Sequence, residues 1–190
     1  MKEVTIIHDV HEGSPMEMKF KHNTYNPANE NEYYNGDNID MTNCKKKMVG
    51  HCQAKINELR KLYGRRFITG NHEAQRDADL LVIIPRTDVG IMHGDFIFWG
   101  AEKSMKYRRK DHGAGFLKRG LWVNALEAFE NDYDRPVKQE HLDRANLICS
   151  SKNLSRLIVG HKHPSKQGDY KLVCGATLTT LPRGINKLWL

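Results

Sequence analysis

Leu157-Ile158-Val159-Gly160-His161-Lys162-His163 holds in seven residues the pattern that decides the fold. A short apolar run reads as a strand. The glycine after it lets the backbone turn sharply, and two imidazoles follow where the strand has stopped. The same arrangement recurs throughout the chain. Val4-Thr5-Ile6-Ile7 ends in His8-Asp9-Val10-His11, and Tyr33-Tyr34-Asn35 leads into Gly36-Asp37-Asn38-Ile39-Asp40. Phe67-Ile68-Thr69 ends in Gly70-Asn71-His72-Glu73, and Val89-Gly90-Ile91-Met92 in His93-Gly94-Asp95. In α/β folds ligands bind beyond the carboxyl ends of the strands, where loops from separate strands converge.

Between these runs the periodicity changes. Met48, Cys52, Ile56, Leu59 and Leu62 or Tyr63 recur at three- and four-residue spacing, which predicts a helix over about Asn43 to Tyr63. Thr42 is its candidate N-cap and Gly64 its candidate stop. Glu17 to Glu32 is polar and Asn-rich and reads as a loop with room for an edge strand. Leu121, Ala125, Ala128 and Phe129 predict one amphipathic helix and His141 to Cys149 a second, a helical insertion at about 100–150. Lys171 to Cys174, Leu178 to Leu181 and Lys187 to Leu190 read as short strands. Alternating strands and helices point to an α/β fold, and 190 residues suit one domain spanning 1–190.

No apolar run approaches the roughly 20 residues that a spanning helix needs, so no membrane insertion is expected. The N-terminal run reads as a strand rather than a leader, which makes a cytoplasmic location the expectation. Cys44, Cys52, Cys149 and Cys174 are scattered without a CxxC pair and read as buried, reduced thiols. The net charge of +7 gathers in clusters such as Lys45-Lys46-Lys47 and Lys103 to Lys110. Such clusters suit an anionic partner, a small phosphoester or nucleic acid, and equally suit solvated helix faces.

The strand-end clusters supply imidazoles, carboxylates and an amide oxygen, with no thiolate. That donor set suits Mn, Fe, Zn, Co or Ni. Asp9, His11, Asp37, Asn71, His93, His161 and His163 are too many for one tetrahedral ion. They suit two divalent ions sharing a carboxylate, a pair that can clamp the attacking and leaving oxygens of a displacement at phosphorus. Taken singly, each cluster has an ordinary reading: Gly-Asp is turn chemistry, and Asn71 could cap a helix. The ordered recurrence after apolar runs is the stronger signal.

The order D-x-H, GD-x-x-D, GNHE, HGD, GH-x-H resembles the calcineurin-like metallophosphoesterase superfamily, with all five blocks present between residues 9 and 163. The resemblance implies two packed mixed β-sheets flanked by helices, a four-layer α/β/β/α domain. It implies that Asp9, His11 and His163 hold a first metal, that Asn71, His93 and His161 hold a second, and that Asp37 bridges them. His72 would stand beside the metals as the catalytic histidine, oriented by Asp40. Protein serine/threonine phosphatases continue GD-x-x-D with Arg-Gly, whereas Met41-Thr42 follows here. The HGD block is similar to that of UDP-diacylglucosamine pyrophosphatases, and Leu181-Pro182-Arg183-Gly184 to the ending of small bacterial phosphodiesterases.

The expected activity is hydrolysis of a nucleotide or other small phosphodiester by metal-activated water, with Mn the favoured metal. The alternatives are a phosphomonoesterase or protein phosphatase, suggested by His72 with Asp40, and a nuclease, suggested by the basic clusters. Lys103, Arg108 and Arg109 are candidate phosphate contacts, against the reading of that segment as a solvated basic helix. His8, where the family usually has a small residue, is expected at the pocket rim.

Overall fold

Strict alternation along Val4-Thr5-Ile6-Ile7 requires two buried faces, because all four side chains are apolar or small and all are buried. The computed structural model, which describes residues 2–11, 26–41, 46–73, 79–108, 136–162 and 164–190, meets that requirement with two sheets. In the first, β1 (Glu3–His8) pairs in parallel with β2 (Glu32–Asn35), and β2 in parallel with β3 (Phe67–Ile68). Strand β9 (Gly184–Trp189) returns antiparallel on the other side of β1, with Ile7 opposite Ile185 and Ile6 opposite Asn186. The second sheet has the order β4 (Leu81–Ile83), β5 (Val89–Met92), β6 (Arg156–Val159), β8 (Thr177–Thr180), β7 (Gly168–Lys171). Its three central strands are parallel and both edges antiparallel.

The sheets face each other through one apolar layer. Val4 and Ile6 of β1, Tyr33 of β2 and Ile68 of β3 meet Val89 and Ile91 of β5 and Ile158 of β6. The next residue along each strand points outward and needs a helix. Helix α1 (Val49–Tyr63) covers the first sheet with Cys52, Ile56, Leu59 and Tyr63, which pack on Tyr34 and Phe67. On the far side α4 (Gln139–Lys152) lays Ala145 and Cys149 against Leu157, Val159 and Leu178. Two short helices, α2 (Asp95–Phe98) and α3 (Ala101–Arg108), follow β5. The chain is thus an α/β protein with two mixed sheets flanked by helices, as expected. Among the described residues, no helix is long and apolar enough to cross a membrane.

Several sequence expectations need correction. Glu32, the last residue of the segment read as a loop with room for an edge strand, instead opens β2, which lies between β1 and β3. Lys171 to Cys174 is mostly turn, because β7 ends at Lys171 and Gly175, at φ 87°, closes the chain back with an N–H to Leu172 O of 3.0 Å. Strand β8 begins and ends one residue earlier than Leu178 to Leu181, and β9 begins at Gly184 rather than Lys187. Strand β4 was unforeseen; three residues at a sheet edge carry no periodicity to read. Cys52 and Cys149 are buried, but Cys174 sits in the turn and is exposed. Thr42, Cys44 and the helix expected around Leu121 to Phe129 lie outside the described residues.

Candidate metal centre

The parallel strands β1, β2 and β3 of one sheet and β5 and β6 of the other finish in one place. Asp9 N–H reaches Gly36 O at 3.0 Å, and Gly160 N–H reaches His93 O at 2.9 Å. Such tight turns put non-glycine residues into the left-handed region: Asp9 at φ 56°, His11 at 57°, Asp37 at 52° and His161 at 68°. Each such residue costs about 1–3 kcal/mol, and strain of this kind gathers at functional sites. Gly70 shows how close the approach is, since a Cβ there would stand 2.0 Å from Asp37 Oδ1.

Two groups of donor atoms result, one of His11, Asp37 and His72 and the other of Asp37, His93 and His161, with all five residues buried. Asp37 belongs to both. Its Oδ1 accepts the His72 N–H at 2.8 Å, and its Oδ2 lies 3.0 Å from His93 Nε2 and 3.9 Å from His72 Nε2. His93 Nε2 is also 3.1 Å from Asn71 Oδ1 and 3.0 Å from His161 Nδ1. One imidazole nitrogen can direct a single proton, yet three lone-pair atoms crowd it. A cation among these atoms uses every lone pair at once, so the donor set fits a metal ion.

The charge balance points the same way. Asp9, Asp37, Asp40, Glu73 and Asp95 are all buried around the centre. The one buried arginine there among the described residues, Arg108, is taken by Asp95, with Nη2 to Oδ1 and Nε to Oδ2 both at 2.9 Å. Buried carboxylates need pairing or coordination. Burial raises the pKa of Asp37, but the charges of His93 and His72 outweigh it and hold the carboxyl below its usual range. For Asp40, too, His72 and His11 overcome burial and keep the pKa well below normal. Burial lowers the pKa of His93, but Asp37, Asp9 and Asp95 together outweigh it and raise it to about 9. Burial and the neighbouring His93 take His161 down to about 3. Protonating one imidazole of this pair thus opposes protonating the other.

Around the donors lies a frame that sequence reading only partly saw. Asp40 was expected to orient His72, and its Oδ1 is 3.0 Å from His72 Nδ1. Its Oδ2 is also 3.3 Å from His11 Nδ1, a second partner not foreseen. Glu73 accepts the backbone N–H groups of Asp37, Asn38 and Gly70 at 2.6–2.8 Å, tying the ends of β2 and β3 together. Burial and the charge of Asp37 push its pKa up to about 7, against those N–H groups, which favour the anion. Arg183 donates to the carbonyls of Asp9 and Val10 from the start of β9. No local sequence signal marks Arg183 for that task.

The remaining expectations divide. Asp9 lies within the centre, its Oδ2 accepting His161 N–H at 2.9 Å. His8 is not at a rim. It is fully buried, with Nδ1 donating to Asp9 Oδ2 while Nε2 accepts Asn186 Nδ2 at 3.1 Å. The reason is that β1 is central, so its last side chain points into the protein. Arg108 is buried as well, and its guanidinium is engaged by Asp95 and by Thr69, whose carbonyl is 2.9 Å from Nη2. Lys103 is half-buried with its ammonium 5.1 Å from the centre of the Trp99 ring. His163 and Arg109 lie outside the described residues.

No protein-family model matches the chain, and no curated protein matches it in sequence.

Proposed function

We propose that this chain is a dimetal phosphoesterase of the calcineurin-like kind, hydrolysing a nucleotide or other small phosphodiester with two divalent ions, Mn²⁺ foremost. The observation that carries this reading is the pair of buried donor groups sharing Asp37, with the order of residues along the chain in support. Ions held there would polarise the phosphoryl oxygens and lower the pKa of water toward neutrality.

The chain's own groups take the remaining work. Asp40 holds the Nδ1 side of both His11 and His72, which fixes each tautomer and turns each Nε2 toward the centre. For His11 that Nε2 acts as a lone-pair donor. His72 holds no ion in this reading, which leaves His11 and Asp37 of that group with Asp9: its Nε2, 3.9 Å from Asp37 Oδ2, carries a proton that stabilises a phosphoryl oxygen or passes to the leaving oxygen. Phosphomonoester hydrolysis is the second reading, since the His72–Asp40 pair can protonate a monoester's leaving oxygen as well as a diester's.

Hydrolysis of bis-p-nitrophenyl phosphate and p-nitrophenyl phosphate with Mn²⁺ tests both. The diester is expected to be the better substrate, and activity on the monoester alone would reverse the preference. Asp37→Asn is expected to lose both activities. Full activity in that variant contradicts the shared carboxylate.

A further inference from the structure

Strand β3 is two residues long and, among the described residues, pairs only with β2. Sheet pairing therefore does little to fix the turn that follows it, Gly70-Asn71-His72-Glu73. Glu73 ties that turn to the end of β2, within the same sheet. The turn His93-Gly94-Asp95 follows β5, in the other sheet. The two sheets share no strand among the described residues, yet Asn71 Oδ1 and His93 Nε2 meet at 3.1 Å. A brace between the sheets has to set that spacing.

Arg108, the last residue of α3, spans the gap. Its Nη1 donates to Thr69 Oγ1 at 3.1 Å and its Nη2 to the Thr69 carbonyl at 2.9 Å, at the end of β3. Nε and Nη2 donate to the two carboxylate oxygens of Asp95, both at 2.9 Å. One planar group thus grips the end of β3 and the turn after β5. Thr69, Asp95 and Arg108 are all buried, and the Phe96 ring centre is 5.2 Å from the guanidinium carbon. Forked, charge-assisted hydrogen bonds of this kind are strong and fix direction as well as distance.

We infer that Arg108 is a positioning residue for one half of the metal centre. It sets Asn71 against His93, and so governs the ion that these two would hold with His161. Asp9, His11 and Asp37 follow β1 and β2, which the hydrogen bonds of Arg108 do not reach, so the ion on the His11 side is independent of it. The inference rests on the dimetal reading and adds that the two ions are separately supported. The fork matters beyond its charge, because a lysine ammonium is a point charge without the planar geometry that serves both anchors.

Calorimetric titration of chelator-treated protein with Mn²⁺ tests this without turnover. The wild type is expected to bind two ions. Arg108→Lys should weaken one of them at least about tenfold and leave the other within about twofold. Added to His11→Gln, the same change should weaken the ion that remains; added to His161→Gln, it should not. Equal weakening in both backgrounds marks a general loosening of the fold and overturns the inference, as do two unaltered ions in folded Arg108→Lys. Should Arg108→Lys fail to fold, Thr69→Val removes one acceptor and keeps the Arg108–Asp95 pair. It should weaken one ion by about 2- to 5-fold, and an unchanged titration overturns the inference. A wild type that takes up no Mn²⁺ defeats the metal reading itself, an outcome distinct from two-ion binding that Arg108→Lys leaves intact.

Discussion

His11 and His72 meet edge to face with ring centres 4.6 Å apart, and His93 and His161 do the same at 4.9 Å. The two pairs are nonetheless held by different forces. One carboxylate, Asp40, grips the Nδ1 side of both His11 and His72. No carboxylate hydrogen-bonds the outer nitrogens of the second pair among the described residues. His93 Nδ1 faces the Asn35 carbonyl at a long 3.4 Å, and His161 is positioned by the rings of Phe98 and Trp99. A charged clamp sets orientation and basicity together, whereas aromatic packing sets orientation alone. The first pair should therefore be sensitive to charge and the second to shape.

The carboxylate common to both pairs gives the largest expected effect. Asp37→Asn should lower metal affinity and kcat by more than about 100-fold, because both donor groups lose their shared anion. Metal analysis should find the loss at both positions, and loss at one alone would show that the halves do not share Asp37. Asp40→Asn tests the charged clamp by itself. It should weaken one metal by about 10–100-fold and leave the other bound, so that stoichiometry at limiting Mn²⁺ falls from two to one. Equal weakening of both ions would erase the distinction between the pairs.

Facing Asp37 rather than a clamp of its own, the second pair should shape the pH dependence of metal-free stability. His93 titrates at about 9 when folded, above the ordinary imidazole value of 6.5. Its contribution is full below pH 6.5 and is lost as pH rises toward 9. His161 is displaced the other way, to about 3, so its contribution is full above pH 6.5 and is lost as pH falls toward 3. Chelator-treated protein should lose stability to both sides of neutrality from this pair. In His93→Gln the alkaline loss should shrink, and thermal unfolding in EDTA across pH 5–9 measures it. An unchanged alkaline limb in that variant would dismiss the coupling. Glu73, raised from 4.5 to about 7, adds a loss of stability as pH rises through that interval, a separate slope that Glu73→Gln should remove.

The donors and their distant supports also differed in how legible they were beforehand. Every donor lies directly after an apolar run, and strand-then-cluster is a local signal, so Asp9, Asp37, His93 and His161 could be picked out without coordinates. Helix α1 was legible for the same reason, its buried positions Cys52, Ile56, Leu59 and Tyr63 repeating at helical spacing. The supports were not. Arg183 reaches Asp9 and Val10 from the far end of the chain, and Asn186 finds His8 only through the register of β9 on β1. Pairing across such separations leaves no periodic trace. The buried position of His8 likewise depends on β1 being an inner strand, a property of the sheet order and not of the residues around it.

The smallest effect expected is at Trp99, and it bears on whether aromatic packing does position His161. The ring meets the imidazole edge to face at 4.4 Å, an arrangement worth about 0.5–1.5 kcal/mol. Trp99 is half-buried and lies outside the core between the sheets, so its removal leaves that core intact. Trp99→Ala should therefore weaken one metal by about 2- to 10-fold through a looser His161, with the Asp40-gripped pair untouched. Trp99→Phe keeps an edge for the imidazole and should restore most of the affinity. If Trp99→Phe is as weak as Trp99→Ala, the ring contact is not what seats His161, and the Asp9 carboxylate on its backbone N–H carries that role instead.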